Sequence, residues 1–280
     1  MLSEEVETIL ACLLIALFSI CILVIILCFY VIYRTSRQSR TLHQGHILAN
    51  LFVVEFFFSL IHTKIQITNL CGVTNGSTHQ RIELFYRLVF GLAYVLTMHC
   101  IAVDRLLEMF LHLSYANLVT KRRTVFGILG VWVVCVLFGA VCMTLEQTIY
   151  TMEDIFKFAF FFFFATDITF LINAFITYGY LYSKFLYFRK LTRRLAINSE
   201  NTMSFKAPKF LLPLLIILSY LVFDITATFL SMAAYFIDPT NSLYRYIGLM
   251  LYCFSILSHT WMYIFLQPRS PAEPDIYICI

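Results

Sequence analysis

Charged and titratable side chains inside long apolar stretches are the residues of this sequence best placed to do chemistry. Glu55, Asp167, Asp224 and His259 each lie within such a stretch, and the pair Asp104-Arg105 lies toward the end of another. A charge at membrane depth costs roughly 2.5–3.5 kcal/mol on insertion scales, so such side chains must face one another or trapped water. We expect Glu55, Asp224 and His259 to form a mid-membrane polar cluster that holds a proton or a cation. The alternatives are that these residues serve packing alone, and that a protonated Glu55 is simply hydrogen-bonded.

Seven apolar stretches carry these residues, and polar linkers rich in Lys and Arg join them. A bilayer core of about 30 Å needs about 20 helical residues to cross it. Backbone groups in lipid must be satisfied within a helix or a closed barrel. Stretches of this length without period-2 alternation predict helices. The predicted crossings are residues 9–33, 46–69, 82–111, 124–145, 156–188, 207–236 and 242–266.

The composition agrees with an all-α membrane protein that folds as a single seven-helix transmembrane domain over residues 1–280. Of these 280 residues, 61% are hydrophobic and 13% are charged, and the mean hydropathy is +0.83. These values are far from those of a soluble domain. The crossings and their short connections leave no room for a separate soluble domain, and residues 267–280 form a short tail.

Basic residues predict the orientation of the bundle. The linkers after the first, third and fifth stretches are the basic ones, with Arg34, Arg37 and Arg40, then Lys121, Arg122 and Arg123, then Arg189, Lys190, Arg193, Arg194, Lys206 and Lys209. Because cytoplasmic loops carry the excess of Lys and Arg, the amino terminus is predicted outside and the tail inside. The acidic start and the long first stretch argue against a cleaved signal peptide. We expect a multi-pass plasma-membrane protein whose basic loops meet anionic membrane lipids.

The residues around Glu55 and Arg105 belong to a series of short sequence motifs whose order and spacing are known from a protein family. These are Asn50-Leu51-x-x-x-Glu55, Ile101-Ala102-Val103-Asp104-Arg105-Leu106, Trp132 and His259-Thr260-Trp261-Met262-Tyr263, with Tyr180, or else Tyr178 or Tyr182, near the inner end of the fifth stretch. On these residues the chain resembles rhodopsin-like G-protein-coupled receptors over nearly its whole length. Residues 113–120 are similar to the second inside loop of adenosine and melanocortin receptors.

The resemblance implies a receptor that passes an extracellular ligand signal to an intracellular heterotrimeric G protein through a population shift. Asp104, Arg105, Tyr180 and Tyr263 would be the residues of activation and coupling, and the cluster at Glu55 would resemble the family's sodium site. Asp104 can neutralise Arg105 at rest, whereas the start of the sixth stretch, residues 205–209, has no acid to hold it. We therefore expect Arg105 to be weakly held at rest, with appreciable basal signalling.

The outer third of the bundle holds the candidate ligand pocket, formed by Lys64, Arg87, Asp167, Arg245 and Tyr246. Arg87 stands at the level where similar amine receptors carry an amine-binding Asp, which favours an acidic small molecule or peptide over an amine. The alternative is that Lys64, Arg87 and Arg245 snorkel to the outer interface.

The tripeptide Asn75-Gly76-Ser77 is an N-glycosylation sequon, and the predicted topology assigns it to the first outside loop.

Several positions depart from the family pattern. Gln80 stands where the third helix usually has Cys, while Asp224, Ile225 and Ala227 take the Cys, Trp and Pro positions of the sixth-helix motif, and Thr260 replaces the seventh-helix Pro. Pro kinks take part in activation because Pro weakens a helix locally. These departures favour an alternative, a receptor-like seven-helix protein that does not couple to G proteins and acts as a decoy or a trafficking partner.

Other functional classes lack the residues that they need. The seventh stretch has Cys253 and no Lys at the level of a retinal Schiff base, which excludes opsin chemistry. A metal hydrolase needs clustered His and carboxylate ligands, but the seven His are scattered, and no repeated halves indicate a transporter. We expect no enzyme activity, no cofactor and no nucleic-acid partner.

The end of the tail, residues 276–280, could add a strand to a PDZ-type groove of a partner domain or carry a palmitate on Cys279.

Overall fold

The structure is a computed structural model that describes residues 4–36, 43–72, 77–111, 115–148, 151–196, 211–236 and 242–266. Throughout these ranges the regular elements are helices, which confirms the prediction of an all-α fold. The first to fifth helices are Glu4–Ser36, His43–Leu70, Ser77–Leu111, Lys121–Thr148 and Met152–Ala196, and the seventh is Ser242–Leu266. The sixth helix consists of Leu211–Ser219 and Ile225–Phe236, joined by the π-helical turn Tyr220–Asp224. A short helix, Tyr115–Leu118, lies between the third and the fourth.

Six apolar helices are long enough to cross a bilayer, and they indicate a membrane protein. Their apolar segments are Glu4–Tyr33, Gly45–Leu70, His79–Glu108, Lys121–Gln147, Lys157–Ile176 and Leu243–Ile264. The sixth helix contributes the shorter apolar segment Leu215–Ser231. Large outward side chains such as Leu23, Leu137 and Phe175 are more than half exposed, as expected where lipid takes the place of water. The predicted crossing 207–236 begins outside the described residues, so the count of seven crossings stays a prediction. The orientation of the bundle in the membrane also stays a prediction.

The third helix is the centre of the bundle. In its apolar segment 61% of the residues are buried, against 17% in the fourth helix. It packs against the second, fourth, fifth and sixth helices, while the first helix packs against the second and the seventh. Polar side chains on the third helix therefore have neighbours on most sides, and this arrangement positions the candidate site.

Local signals explain where several helices begin and end. Before the fifth helix, the Thr151 amide donates to the Asp154 carboxylate at 3.1 Å, and the Asp154 amide donates to the Thr151 hydroxyl at 3.3 Å. This reciprocal pair is a capping box, and the Thr151 hydrogen bonds hold the pKa of the Asp154 carboxyl below its ordinary value. After the second helix, Gly72 has a φ of 61°. That left-handed conformation is the usual helix C-terminal signal, and glycine adopts it without a steric penalty.

The fourth helix approaches the third so closely that only glycine fits at one position. A Cβ atom added at Gly139 would lie 2.7 Å from Cγ2 of Val89 and 3.0 Å from the Phe85 ring. By contrast, a Cβ atom at Gly130 on the same helix would have no neighbour within 4 Å. Gly139 therefore sets the separation of the two helices, which in turn brings Trp132 of the fourth helix toward the polar side chains of the second and third.

The sixth helix widens at its middle into the π-helical turn Tyr220–Asp224. Both Tyr220 and Asp224 are buried, and residues four apart lie on the same side of a helix. Such turns appear mostly as single insertions within α-helices and are frequent at functional sites. The turn therefore presents a phenol and a carboxylate to the bundle interior.

Candidate functional site

A direct contact in the middle of the bundle joins Glu55 of the second helix to His259 of the seventh. Nδ1 of His259 lies 2.7 Å from Oε1 of Glu55, so one proton is held between the two side chains. Both side chains are fully buried, with no exposed surface. Removing a charge pair from water is favourable only when the two charges compensate one another. The two residues therefore act as one unit.

Asp224 of the sixth helix completes the cluster from the other side of a small cavity. The Ser255 hydroxyl donates to Oδ2 of Asp224 and lies 3.5 Å from the hydroxyl of Tyr94 on the third helix. The cavity is lined by Glu55, Phe58, Tyr94, Asp224, Tyr252 and Ile256, and it is large enough for about one water molecule. The structure thus brings the three predicted cluster residues together: Glu55 and His259 in direct contact, and Asp224 across the cavity.

Two carboxylate oxygens in this cluster have no described hydrogen-bond partner. They are Oε2 of Glu55 and Oδ1 of Asp224, and both atoms are buried. Buried polar atoms in folded proteins are nearly always paired, so each exception calls for an explanation such as a trapped water or a bound proton. Both residues line the same cavity.

A second polar network joins the second, third and fourth helices. The Trp132 indole N–H donates to Oδ1 of Asn50 at 2.8 Å, and the Asn50 amide donates to the Thr97 hydroxyl at 2.8 Å. The Thr97 hydroxyl in turn donates to the Ala93 carbonyl at 2.6 Å. Sequence reasoning selected Asn50 and Trp132 as motif residues but missed Thr97, because only the third-helix geometry aligns it with Asn50.

Arg105 lies among acids of its own helix. Its Nε donates to Oδ2 of Asp104 at 3.1 Å, a second guanidinium nitrogen also contacts that carboxylate, and Nη1 donates to Oε2 of Glu108 at 2.5 Å. The Arg105 and Asp104 side chains are both buried, with exposed fractions of 5% and 8%. Sequence reasoning missed Glu108, although residues three apart are neighbours on a helix and the spacing was visible.

Tyr115 of the short helix binds the other face of Asp104. Its hydroxyl donates to Oδ1 of Asp104, and its side chain is buried. Burial raises the pKa of the Tyr115 hydroxyl, and the neighbouring Asp104 carboxylate raises it further. Tyr115 therefore stays a neutral donor and orients Asp104 toward Arg105. It belongs to the segment 113–120 that resembles a receptor loop, but no rule of spacing predicted this contact.

The two tyrosines predicted at the inner end have aromatic neighbours. Tyr263 is buried, and its ring meets the edge of the Phe52 ring at a centroid distance of 5.3 Å. The Tyr180 ring stacks on Phe110 of the third helix at 4.5 Å. The side chains of Tyr178 and Tyr182 lie outside the described side chains. Tyr180 therefore joins the fifth helix to the same end of the third helix that carries Arg105.

The candidate ligand residues are engaged by different partners. Arg87 forms an ion pair with Glu83 of its own helix, and Arg245 is an electrostatic neighbour of it. Asp167 instead accepts a hydrogen bond of 2.5 Å from the Tyr220 hydroxyl and lines a crevice between the fifth and sixth helices. Lys64 is exposed, and Tyr246 is half-buried near Arg245. Arg87 and Arg245 thus share a region, whereas Asp167 belongs to a different contact.

Several predicted features lie outside the described residues: the sequon residue Asn75, residues 205–209 and the tail 267–280. Within the described ranges, no group of three or more His, Cys, Asp and Glu side chains has the arrangement of a metal site. The eight described cysteines are free thiols, and Cys71 is exposed.

In comparisons with known proteins, no protein-family model and no curated protein matches this chain.

Proposed function

We propose that this protein is a rhodopsin-like G-protein-coupled receptor that transmits an extracellular ligand signal to an intracellular heterotrimeric G protein. The observation that carries the proposal is Arg105, a buried guanidinium that two carboxylates of its own helix neutralise. Arginine is always charged and donates in several directions, which suits a residue that exchanges one acidic partner for another. The contact of Asn50 with Trp132 adds support, since two motif residues that are 82 positions apart meet directly.

In this mechanism the acids around Arg105 hold the resting state. A ligand at the outer end favours a bundle with separated inner ends, and Arg105 then leaves Asp104 and Glu108 for the G protein. A hydrogen bond to a charged group contributes about 1.5–3 kcal/mol. Glu108 alone therefore shifts the resting equilibrium by about tenfold or more. The expectation of a weakly held Arg105 rested on residues 205–209 and did not include Glu108, which strengthens the resting state.

A ligand-free assay tests the proposal, because Glu108→Gln removes one acid and leaves the side-chain shape. The full chain is expressed with each class of G protein, and nucleotide exchange is measured in membranes together with surface expression. We expect Glu108→Gln to raise basal exchange about tenfold over the unchanged chain, and Glu108→Gln/Arg105→Ala to abolish the gain. Arg122→Ala is the matched control, because Arg122 is an exposed arginine on the fourth helix that lies over the Phe126 ring.

The result that would contradict the proposal is a surface-expressed Glu108→Gln protein that activates no class of G protein. That outcome would favour the decoy or trafficking alternative, which the missing Pro and Trp positions motivate.

The topology is part of the proposal: seven crossings in the plasma membrane, with the amino terminus outside. The basic residues after the first, third and fifth helices support it, as do six helices of spanning length. Epitope tags inserted beside Leu118 and near Glu4 test it in intact cells. Antibody should reach the tag near Glu4 without permeabilisation and the tag beside Leu118 only after it. The reverse pattern would remove Arg105 from the cytoplasmic side and end the receptor proposal.

The ligand in this proposal is an acidic small molecule or peptide. Arg87 supports this class, because its ion pair with Glu83 uses one guanidinium nitrogen and its buried Nε has no described partner. Arg245 adds a second positive charge in the same region. Once a screen with acidic compounds finds an agonist, Arg87→Ala should lower its potency about tenfold or more, as the loss of one charge-assisted hydrogen bond predicts. An Arg87→Ala receptor with full agonist potency would exclude this site.

A further inference from the structure

We infer that the cavity between Glu55 and Asp224 is a proton-binding site, in which the two carboxyl groups share one proton through a trapped water and His259 supplies a built-in positive charge. The inference goes beyond the proposed function, because it concerns the charge state of the bundle interior and needs no G protein.

The unpaired carboxylate oxygens are the first observation that supports this site. Oε2 of Glu55 and Oδ1 of Asp224 are buried, have no described hydrogen-bond partner, and belong to residues that line one cavity. The cavity has room for about one water molecule. A water needs two to four polar partners, and the two carboxyl groups with the Tyr94 and Tyr252 hydroxyls offer them. A carboxylic acid on one side can then donate through the water to the carboxylate on the other.

The charge count is the second observation. His259 is the single cation among the described groups that interact with Glu55 and Asp224. A protonated His259 compensates one ionised carboxylate, so two ionised carboxylates would leave one net negative charge at membrane depth. Such a charge is costly in this environment. One additional positive charge is therefore required, and a bound proton is the smallest group that can supply it.

The groups that face the site from the surrounding helices do not provide that charge. They are Cys28 of the first helix, Tyr94 of the third, Tyr220 of the sixth and Tyr252 of the seventh. All four are neutral or acidic, and Asp167 of the fifth helix neighbours only Tyr220 and Tyr252 among them. A sodium ion would also balance the charge, but it would lie beside the His259 imidazolium, and the cluster lacks the arrangement of a metal site. The proton is therefore the favoured occupant.

Infrared spectroscopy of the purified full chain in nanodiscs tests the site through its charge count. A protonated carboxyl group has a C=O stretching band that shifts in D2O, and an ionised group lacks it. We expect both Glu55→Gln and Asp224→Asn to lose one such band, because either change leaves one carboxylate for one imidazolium. His259→Asn should instead roughly double the band, because both carboxyl groups must then be protonated. Asp167→Asn is the control, since Asp167 lies in the neighbouring crevice. The band that Glu55→Gln and Asp224→Asn remove should remain in this variant.

Two results would overturn the inference. One is an acid band that neither Glu55→Gln nor Asp224→Asn diminishes; if one variant does not fold, the other decides. The second is a melting temperature that rises when sodium replaces choline at constant ionic strength, with no rise in either carboxyl variant, since that would identify a sodium site. An unchanged melting temperature supports the proton. A failure of G-protein coupling would leave these spectra unaffected, so the two proposals fail separately.

Discussion

Removing His259 is the perturbation whose cost follows most directly from the structure. His259→Leu keeps a side chain of moderate size in a fully buried position and removes the partner that lies 2.7 Å from Glu55. The Glu55 carboxylate is then a buried charge without compensation, and breaking a buried pair in this way costs about 3–5 kcal/mol. The carboxyl group can avoid the charge only by taking a proton from water.

The cost of that proton sets both the magnitude and the pH dependence. A free Glu carboxyl has a pKa of about 4.3, and each pH unit above this value adds about 1.4 kcal/mol to the cost of keeping it protonated. His259→Leu should therefore destabilise the protein by about 3.7 kcal/mol at pH 7 and by only about 1 kcal/mol at pH 5. The sign follows because the unfolded chain releases this proton and the folded variant retains it, so the stability of the variant falls as the pH rises.

The control is the double variant Glu55→Gln/His259→Leu, which has no carboxyl group to protonate at this position. Equilibrium unfolding in mixed lipid–detergent micelles gives the free energy of unfolding for each variant at both pH values. The double variant should be more stable than His259→Leu by about 3.7 kcal/mol at pH 7 and by only about 1 kcal/mol at pH 5. Equal stabilities of the two variants at pH 7 would refute the reasoning, because Glu55 would then not depend on His259.

Three further predictions concern packing and hydrogen bonds. Asn50→Ala should lower the free energy of unfolding by about 1–3 kcal/mol, and a double-mutant cycle with Trp132→Phe should give a coupling of about 0.6–1.7 kcal/mol; strict additivity would contradict the hydrogen bond. Gly139→Ala should destabilise by about 1–3 kcal/mol through overpacking, because its Cβ would lie 2.7 Å from a third-helix side chain. Gly130→Ala, the matched control in open space, should not destabilise, and equal thermal shifts would be the contrary result. Tyr220→Phe should cost about 0.5–1.5 kcal/mol, the net value of an ordinary hydrogen bond, because the change removes the hydroxyl that donates to Asp167; an unchanged unfolding midpoint would count against that bond.

The buried charges show how far the sequence predicts the site. Membrane depth alone selected Glu55, Asp224 and His259, since a charge in lipid needs an internal partner. The sequence did not predict that His259 contacts Glu55 while Asp224 lies across a cavity, because that depends on how three helices are rotated about their axes. Asp167 shows the same limit: it was assigned to a ligand pocket, and its described partner is Tyr220. No sequence pattern predicted the π-helical turn that presents Tyr220 and Asp224.

The sequence by itself determined that this protein folds in a lipid bilayer and at what depth in the bilayer its polar side chains lie. Apolar stretches of spanning length dictate helices, because each backbone group in lipid must be satisfied within its own segment. Contacts along one helix were also within its reach, since Glu108 and Arg105 are three residues apart. Only the tertiary structure decided the contacts between helices, such as the pair of Glu55 and His259, which are 204 residues apart. Those contacts depend on the rotation and separation of packed helices, which close approaches such as that at Gly139 set and which no local pattern encodes.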